Sequence, residues 1–428
     1  MRYLTLPNSF FATNRKRLID KMKPNSILVI FSPDEYPRNG DQFYSFRQNS
    51  DLYHLCGINQ EETILTLTHF EKSVDFKERI FVKNVDEKQR IWYGEKHSKE
   101  EVSNLSGIKD VCWNTEFDDY LFSQMEYVDT IYYVESANIK SFDNCPSSNQ
   151  RRIESLKKEF PEKSFLPITE FMQELRLVKQ EAEIETIKKS VEITRKAYFS
   201  ILNNTQPNKK EYEIEAEITY EFLRNGAQGH AYEPIVASGK NACILHYIDN
   251  DKLMKDGDLL LLDFGAEYAN YAADCSRTIP INGKFTERQK QCYNAVLDVY
   301  LRAQKLYVPG NTIDIINEQV GEWMQEKMVE LGLFSKEEVE NHIGEEPLYK
   351  RYFMHGTSHF MGLDVHDVGT KQTPFKEGMI LTCEPGLYIE EEGIGIRIET
   401  DIIVAEEPID LMADFPVSVE EIESLMER

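Results

Sequence analysis

Apolar positions in the first part of the chain fall in short runs separated by charged segments. The aliphatic runs predict buried strands at 27–31, 63–67 and 79–82. Charged segments with apolar residues at helical spacing predict helices at 98–105 and 150–158. The first of these begins at Ser98, and Glu101 follows at the spacing of a capping box. Strands alternating with helices predict an α/β domain.

The pattern changes at Pro161 and Pro167, where two nearby prolines predict a linker. Beyond them, apolar residues return every three or four positions from Ile184 to Ile201, which predicts a long amphipathic helix. A second amphipathic helix follows and is predicted to end at Gly226, because glycine favours helix C-termini.

The order of a helix pair followed by strands then repeats. Further helices are predicted at 286–307 and 313–331, and strand-like segments come after them. The pair Ser418 and Glu421 has capping-box spacing and predicts a final helix. Two halves of similar layout predict a pseudo-symmetric site at their seam.

Length and composition bound the possible classes of protein. A chain of 428 residues exceeds one ordinary core, so we expect two domains, at 1–172 and 173–428. The formal net charge of −25 argues against nucleic acid or an anionic membrane as a partner. Neither a membrane-spanning apolar stretch nor the apolar region of a signal peptide is found. The seven cysteines lack CxxC spacing, which fits a reducing cytoplasm.

Two aspartates lie on either side of a predicted turn in the second half of the chain. Asp263 ends an apolar strand, and a hairpin turning near Tyr268 to Asn270 would bring Asp274 across from it. Each aspartate alone is explained as a strand-end cap or a turn residue. Together, two carboxylates at close range repel each other unless a cation lies between them.

Three further candidate ligands lie in glycine-bounded segments near the end of the chain. His359 belongs to a histidine-rich stretch whose glycines disfavour the helix of a zincin motif. Glu384 precedes Pro385, and Glu399 shares a strand face with Arg397, which is also explained as a surface salt bridge. Four carboxylates and one imidazole suit two hard divalent cations, which indicates a hydrolase that activates water.

These motifs, in this order, resemble the pita-bread metallopeptidases and are most similar to the aminopeptidase P (Xaa-Pro aminopeptidase) family. The resemblance covers nearly the whole chain. It is carried by Asp263-Phe-Gly, His355-Gly-Thr-Ser-His359, Glu384-Pro-Gly and Gly395-Ile-Arg-Ile-Glu399. It implies a creatinase/prolidase-like N-terminal α/β domain and an α+β pita-bread catalytic domain with pseudo-two-fold symmetry. Cys275, in place of the usual aliphatic residue, and Cys383 depart from the family pattern without removing a ligand.

The resemblance also implies a dinuclear site, usually of manganese. Asp263 would bind one metal through both oxygens, and Asp274 and Glu399 would bridge. His359 and Glu384 would bind the other metal. A hydroxide between the metals would be the nucleophile, with Glu384 as the proton shuttle.

Other residues acquire roles from the same resemblance. His246 and His366 would contact the substrate and stabilise the tetrahedral intermediate. His355, Tyr388 and Arg397 would line the proline side of the site.

For the N-terminal domain, the resemblance implies roles in oligomerisation and in restricting the substrate. The resemblance also implies that Asp41 would help to bind the substrate. Trp92 would reach the active site of a neighbouring subunit in a homodimer or homotetramer. The alternative for Trp92 is packing within its own domain.

The implied function is release of the N-terminal residue from peptides with proline in second position. A special enzyme is needed because the bond before proline has no N–H. An Xaa-Pro dipeptidase (prolidase) is an alternative with the same ligands. It is disfavoured because Thr357-Ser358 precedes His359 where prolidases more often carry glycine, and because both ends of the chain resemble aminopeptidase P. A methionine aminopeptidase lacks a matching N-terminal domain, and a non-catalytic pita-bread binding protein typically loses ligands that this chain keeps.

Overall fold

A computed structural model describes residues 3–70, 76–135 and 146–427. The chain forms two compact units. The N-terminal unit is Thr5–Arg176. The second unit, which the resemblance predicts to be the catalytic unit, comprises the described residues from Leu177 onward together with Tyr3 and Leu4. Among the described residues, no helix combines the length and the apolar character needed to cross a membrane.

The N-terminal unit alternates strands and helices, as its pattern predicts. Its strands are β1 (Ser26–Phe31), β2 (Pro37–Asn39), β3 (Gln42–Phe43), β4 (Ile64–His69), β5 (Lys77–Val82), β6 (Val111–Trp113), β7 (Thr130–Tyr133) and β8 (Ser164–Pro167). Its helices are α1 (Asn8–Ile19), α2 (Ser50–Cys56), α3 (Glu87–Tyr93), α4 (Lys99–Ser106), α5 (Phe117–Gln124), α6 (Ser148–Glu159) and α7 (Thr169–Leu177), with a 3₁₀ turn at Asn114–Glu116.

The main sheet of this unit has the strand order β6-β5-β4-β1-β7-β8 in the part of the chain that the structure describes. Strand β1 is buried on both faces. Leu28 and Ile30 join one apolar cluster, and Ile27, Val29 and Phe31 join another. Helices cover both faces of a sheet of this kind, so its central strand is a continuous apolar run.

The predicted strands and helices of this unit are confirmed as β1, β4, β5, α4 and α6. Helix α4 has the predicted capping box, in which the Ser98 hydroxyl accepts from the Glu101 N–H at 3.2 Å. The Glu101 carboxylate accepts from the Ser98 N–H at 2.8 Å.

The predicted linker at 160–167 is wrong. Ser164–Pro167 forms β8, which pairs in parallel with β7. Because β8 is the edge strand, the missing N–H of Pro167 costs no ladder hydrogen bond, so the proline is tolerated there. The N-terminal unit continues through α7 to Arg176, beyond the boundary expected at residue 172.

The catalytic unit contains the repeated helix pairs and strands. Its strands are β9 (Gly229–His230), β10 (Ile235–Ser238), β11 (Leu259–Asp263), β12 (Ala266–Tyr268), β13 (Tyr271–Ala272), β14 (Ser276–Pro280), β15 (Ile380–Cys383), β16 (Gly386–Ile389), β17 (Ile394–Arg397), β18 (Thr400–Ile403) and β19 (Ile409–Asp410). Its helices are α8 (Glu181–Asn204), α9 (Glu211–Arg224), α10 (Glu287–Ala303), α11 (Ile313–Glu330), α12 (Lys336–Glu340) and α13 (Val419–Leu425). Its 3₁₀ turns are Gly239–Cys243, Gln304–Leu306, Leu348–Arg351 and Glu390–Glu392.

The two halves of this unit repeat one layout. Helices α8 and α9 precede a sheet of order β10-β11-β14, and α10 and α11 precede a sheet of order β15-β18-β19. The predicted amphipathic helix is α8, whose stripe from Ile187 to Ile201 is buried. The predicted final helix is α13, capped by Ser418 and Glu421.

A tight hairpin joins β12 to β13, as the sequence predicts. Tyr268 pairs with Tyr271, and the two residues between them, Ala269 and Asn270, have φ values of 50° and 66°. Two consecutive positive φ angles define a type I′ turn, which matches the twist of paired strands. The chain therefore reverses directly between Asp263 and Asp274.

The buried strand β11 supports this hairpin, so its packing should contribute strongly to stability. Leu261 is 1% exposed and packs with Ile235, Tyr247 and Tyr388, whereas Leu301 on α10 is 48% exposed. We expect Leu261→Ala to lower the free energy of unfolding by about 2–5 kcal/mol. The matched Leu301→Ala change should stay within about 0.5 kcal/mol. Urea denaturation measures both, and equal effects would contradict this packing.

Candidate active site

A cleft of about 550 Å³ in the catalytic unit collects most of the residues singled out by the sequence. Its walls include Ile235, Leu245 and Val365 as well as polar side chains. The predicted site residues that line it are His246, Asp263, Asp274, His355, His359, His366, Glu384, Arg397 and Glu399. Tyr388 lies behind them and contacts His355 and Arg397 through its hydroxyl group.

Asp263 and Asp274 are brought together by the hairpin. Asp263 ends β11, opposite Ser276 on β14, and Asp274 precedes β14. The Tyr232 hydroxyl lies 2.6 Å from Asp263 Oδ1 and 2.5 Å from Asp274 Oδ1. One phenol thus contacts an oxygen of each carboxylate and fixes their spacing.

Asp274, His359 and Glu399 form a compact group of candidate metal ligands. Their ligand atoms all lie within 4.8 Å of one another. His359 Nε2 is 3.3 Å from Asp274 Oδ2 and 3.7 Å from Glu384 Oε1. The other ring nitrogen of His359, Nδ1, lies 3.1 Å from the Phe360 carbonyl oxygen. A hydrogen bond from Nδ1 leaves Nε2 to face the carboxylates, as metal-ligating histidines do.

The electrostatics of this group fit a bound cation. Burial and the charges of Asp274 and Glu384 raise the pKa of Glu399 well above its usual range. Burial likewise raises the pKa of Glu384 to about 7, although the neighbouring His359 opposes the shift. Burial lowers the pKa of His359, but its hydrogen bond to Asp274 and the Glu384 charge raise it to about 9 overall. Protons and divalent cations compete for such sites, so these oxygens and Nε2 suit a metal.

Arg397, Tyr388 and His355 form a hydrogen-bonded chain along one wall. Arg397 donates to the Tyr388 hydroxyl at 2.8 Å and to Asp263 Oδ2 at 2.6 Å. The Tyr388 hydroxyl lies 2.7 Å from His355 Nε2, and His355 Nδ1 lies 2.7 Å from the Gly356 carbonyl oxygen. Burial and the nearby Arg397 lower the pKa of His355 to about 3, so its imidazole is neutral. The His355 Nδ1–H therefore donates a hydrogen bond to the Gly356 carbonyl oxygen, and Nε2 accepts a hydrogen bond from the Tyr388 hydroxyl group.

His246 and His366 are the exposed histidines of the cleft. The His366 ring contacts the His359 ring edge to face, with centroids 4.4 Å apart and planes at 79°. Burial and the nearby His359 lower the pKa of His366. Both side chains are therefore accessible to a molecule that enters the cleft.

Several side chains around the ligands were not found from the sequence. Tyr232 lies in an irregular segment with no periodic signal, and only the hairpin geometry reveals its contact with both aspartates. Ser276 donates to Glu399 Oε2 at 2.6 Å and accepts from Arg397 Nε at 2.7 Å. Asp401 accepts from the Asp274 N–H at 3.2 Å and is fully buried. Asp401 lies two residues after Glu399, and residues two apart in a strand share a face, so this alternation was a signal that could have identified it.

Two predicted site residues lie in the N-terminal unit. Asp41 is exposed at the turn between β2 and β3. Trp92, on α3, is 74% exposed between Ile91 and Tyr93, which are also exposed. Trp92 is therefore not packed within its own domain, the alternative considered for it.

Comparison with known proteins gives matches along nearly the whole chain. Residues 185–406 match metallopeptidase family M24, and residues 11–132 match the aminopeptidase P N-terminal domain. A Xaa-Pro aminopeptidase from Haemophilus influenzae is 36% identical over 98% of each chain. A Xaa-Pro aminopeptidase from Escherichia coli is 35% identical over 97% of each chain. A solved structure of zinc-substituted Escherichia coli aminopeptidase P in complex with product has a TM-score of 0.89, with 32% identity and 99% coverage of each chain.

The ligand geometry predicts that metal binding stabilises the fold. Adding Mn²⁺ to chelator-treated protein should raise the midpoint of thermal unfolding. When the free ion is at about a hundred times its Kd, binding adds about 2.7 kcal/mol to the free energy of unfolding. Asp274→Ala and Glu399→Ala should fold but lose most of this shift. Glu345→Ala, which removes an exposed carboxylate, serves as the control and should keep it. An undiminished shift in Asp274→Ala would contradict this assignment of ligands.

Proposed function

The chain belongs to metallopeptidase family M24 and is a metallo-aminopeptidase, and we propose that it releases the N-terminal residue from peptides whose second residue is proline. Its fold is that of aminopeptidase P, with an α/β N-terminal domain and a pita-bread catalytic domain. The observation that carries the proposal is the convergence of Asp274, His359 and Glu399 in the cleft of a chain that matches Xaa-Pro aminopeptidases end to end.

We propose that two divalent metal ions, most suitably Mn²⁺, bind in this cleft. Asp263, Asp274, His359, Glu384 and Glu399 would hold them, a set dominated by hard oxygen ligands that suits Mn²⁺. Bound there, such ions lower the pKa of water and polarise the carbonyl group of the scissile peptide bond.

The side chains supply the proton transfer and stabilise charge in this proposal. Glu384 would take a proton from the attacking water and deliver it to the leaving amine. The support is that its carboxylate lines the cleft and lies 3.7 Å from both His355 and His359. His246 and His366 line the same cleft and would donate to the carbonyl oxygen as its negative charge develops.

The chain of Arg397, Tyr388 and His355 would form the proline side, with Tyr388 behind the two side chains that line the cleft. Arg397 holds Asp263 and orients Tyr388, which in turn holds the neutral ring of His355. A fixed wall of this kind supports a rigid proline ring without needing the N–H that the bond lacks.

We further propose a homo-oligomer in which the N-terminal unit contributes to the restriction of substrates. The support is the exposure of Ile91, Trp92 and Tyr93 as one apolar group, since clustered exposed apolar side chains commonly mark interaction sites. Asp41, also exposed, belongs to the same proposed role. A cytoplasmic location is proposed because the cysteines of the described residues are free thiols.

Selectivity for proline and for a free amino terminus is the first consequence to test. Ala-Pro-Ala should be cut, whereas Ala-Ala-Ala and acetylated Ala-Pro-Ala should have kcat/KM values lower by at least about tenfold. A chelator should abolish cleavage, and Mn²⁺ should restore it. The assay follows release of the first residue. Cleavage confined to dipeptides such as Ala-Pro would instead identify an Xaa-Pro dipeptidase.

Truncation of Trp92 tests the proposed assembly. Trp92→Ala should lower kcat/KM for a short peptide by about tenfold, as loss of an interfacial aromatic anchor does, without lowering metal content. Tyr127→Ala removes an aromatic side chain of the same unit that is 57% exposed and lies outside this group; it is the control and should keep wild-type kcat/KM. Wild-type protein should elute from size-exclusion chromatography as a dimer or larger. A fully active monomer at the assay concentration would refute the shared site.

A further inference from the structure

Lys179 and Asp367 form a buried ion pair in the catalytic unit. Lys179 Nζ lies 2.9 Å from Asp367 Oδ2, and both side chains are 1% exposed. Glu183 is buried nearby, and its carboxylate accepts from the Tyr271 hydroxyl at 3.0 Å. Burial raises the pKa of Glu183 to about 7, and the positive charge of Lys179 opposes that shift. Lys179 therefore acts on two carboxyl groups in an environment that excludes water.

This group of side chains connects segments that are far apart in the sequence. Lys179 precedes α8, and Glu183 lies in the first turn of that helix. Tyr271, in β13, belongs to the hairpin that leads to Asp274. Asp367 directly follows His366 in the histidine-rich loop. The pair thus links the segment before α8 to the histidine-rich loop, and Glu183 links the start of the same helix to the hairpin.

The histidine-rich loop is closed by its own backbone and tied to the hairpin. The Asp367 N–H donates to the Phe360 carbonyl oxygen at 2.8 Å. The Ala272 N–H of the hairpin donates to the Gly362 carbonyl oxygen at 2.9 Å. Residues 360–367 therefore form a compact loop whose far end carries His366.

Gly362 allows the loop backbone to pack directly against the pair. A Cβ atom at this position would lie 2.3 Å from Asp367 Oδ2 and 2.7 Å from Lys179 Cε. Any larger residue would push the two charged groups aside. The backbone at Gly362 therefore packs directly against the Lys179–Asp367 pair.

A buried ion pair is a poor source of net stability, because removing both charges from water costs about as much as their attraction returns. What such a pair does supply is one distance and one orientation, since either charge left alone in the interior is strongly unfavourable. An apolar contact would allow the 360–367 loop to shift, whereas the Lys179–Asp367 ion pair opposes such a shift because it would separate two buried charges.

We propose that the Lys179–Asp367 pair is a positioning device that fixes the 360–367 loop and holds His366 beside His359 in the cleft. The proposal rests on the proposed function, because His366 acts there on the substrate carbonyl group. The contact being maintained is the edge-to-face approach of the two rings, with centroids 4.4 Å apart. Neither Lys179 nor Asp367 lines the cleft, so the pair acts through His366 and not on the substrate.

A double-mutant cycle on metal-loaded enzyme tests this role. Asp367→Asn keeps the shape of the side chain and removes its charge. We expect it to lower kcat by at least about tenfold with KM changed less than about twofold, since a small displacement of an acting group lowers the rate steeply. In a His366→Ala background, the same change should cost less than about twofold, because the group that it displaces is absent. Equal losses in both backgrounds would overturn the proposal.

Further variants separate positioning from a loss of folding or of metal. Lys179→Gln removes the other charge of the pair, and Gly362→Ala adds a Cβ atom that would contact both side chains. Both variants should reproduce the loss of kcat and its dependence on His366. Glu392→Gln, an acid-to-amide change in the partly exposed Arg288–Glu392 pair, is the matched control and should keep wild-type kcat. Thermal unfolding and metal analysis should show folded, metal-loaded variants, and a matching loss of metal in Asp367→Asn would overturn the proposal. An inactive wild-type enzyme would contradict the proposed function, whereas an active wild type with equally active pair variants would contradict only this inference.

Discussion

The crowding of buried carboxyl groups around the cleft is the constraint on which the catalytic unit depends. Asp274, Glu399 and Asp401 are buried, and Asp263 and Glu384 are mostly so. Isolated charges in such surroundings are strongly unfavourable, and like charges at this range repel. A sequence that concentrates them must also supply compensating donors or cations, and the surrounding structure shows how it does so.

Part of the compensation is built into the protein. Tyr232 contacts both aspartates, and Arg397 donates to Asp263 while its Nε donates to Ser276. Arg277, fully buried, donates to the carbonyl oxygen of Glu399. Arg277 lies on β14 of the first half and Arg397 on β17 of the second, so donors from both halves meet around these residues. The remaining excess of negative charge lies where His359 and the carboxylates converge, and that is where a cation fits.

The sequence predicted those parts of the fold in which local pattern and tertiary packing agree. The stripe of α8, the capping boxes and the turn at Ala269-Asn270 follow from periodicity and backbone chemistry within a few residues. The segment ending at Pro167 was mistaken for a linker because proline weakens the strand signal, while its pairing partner β7 lies some thirty positions earlier in the chain. The candidate ligands could be proposed from the sequence because each lies in a distinctive local motif, and the structure brings them to one cleft. Tyr232 was not, because a single tyrosine in an irregular segment acquires its role only from long-range contacts.

The two cysteines that depart from the family pattern lie directly beside candidate ligands. Cys275 follows Asp274, and Cys383 precedes Glu384, yet both thiols are fully buried. Neighbouring residues of an extended chain point to opposite faces, so a ligand that faces the cleft directs the adjacent side chain into the core. Neither cysteine lines the cleft, whereas Asp274 and Glu384 both do. The two cysteines are therefore constrained by core packing, and the cleft presents carboxylate oxygens and imidazole nitrogens as its candidate ligand atoms.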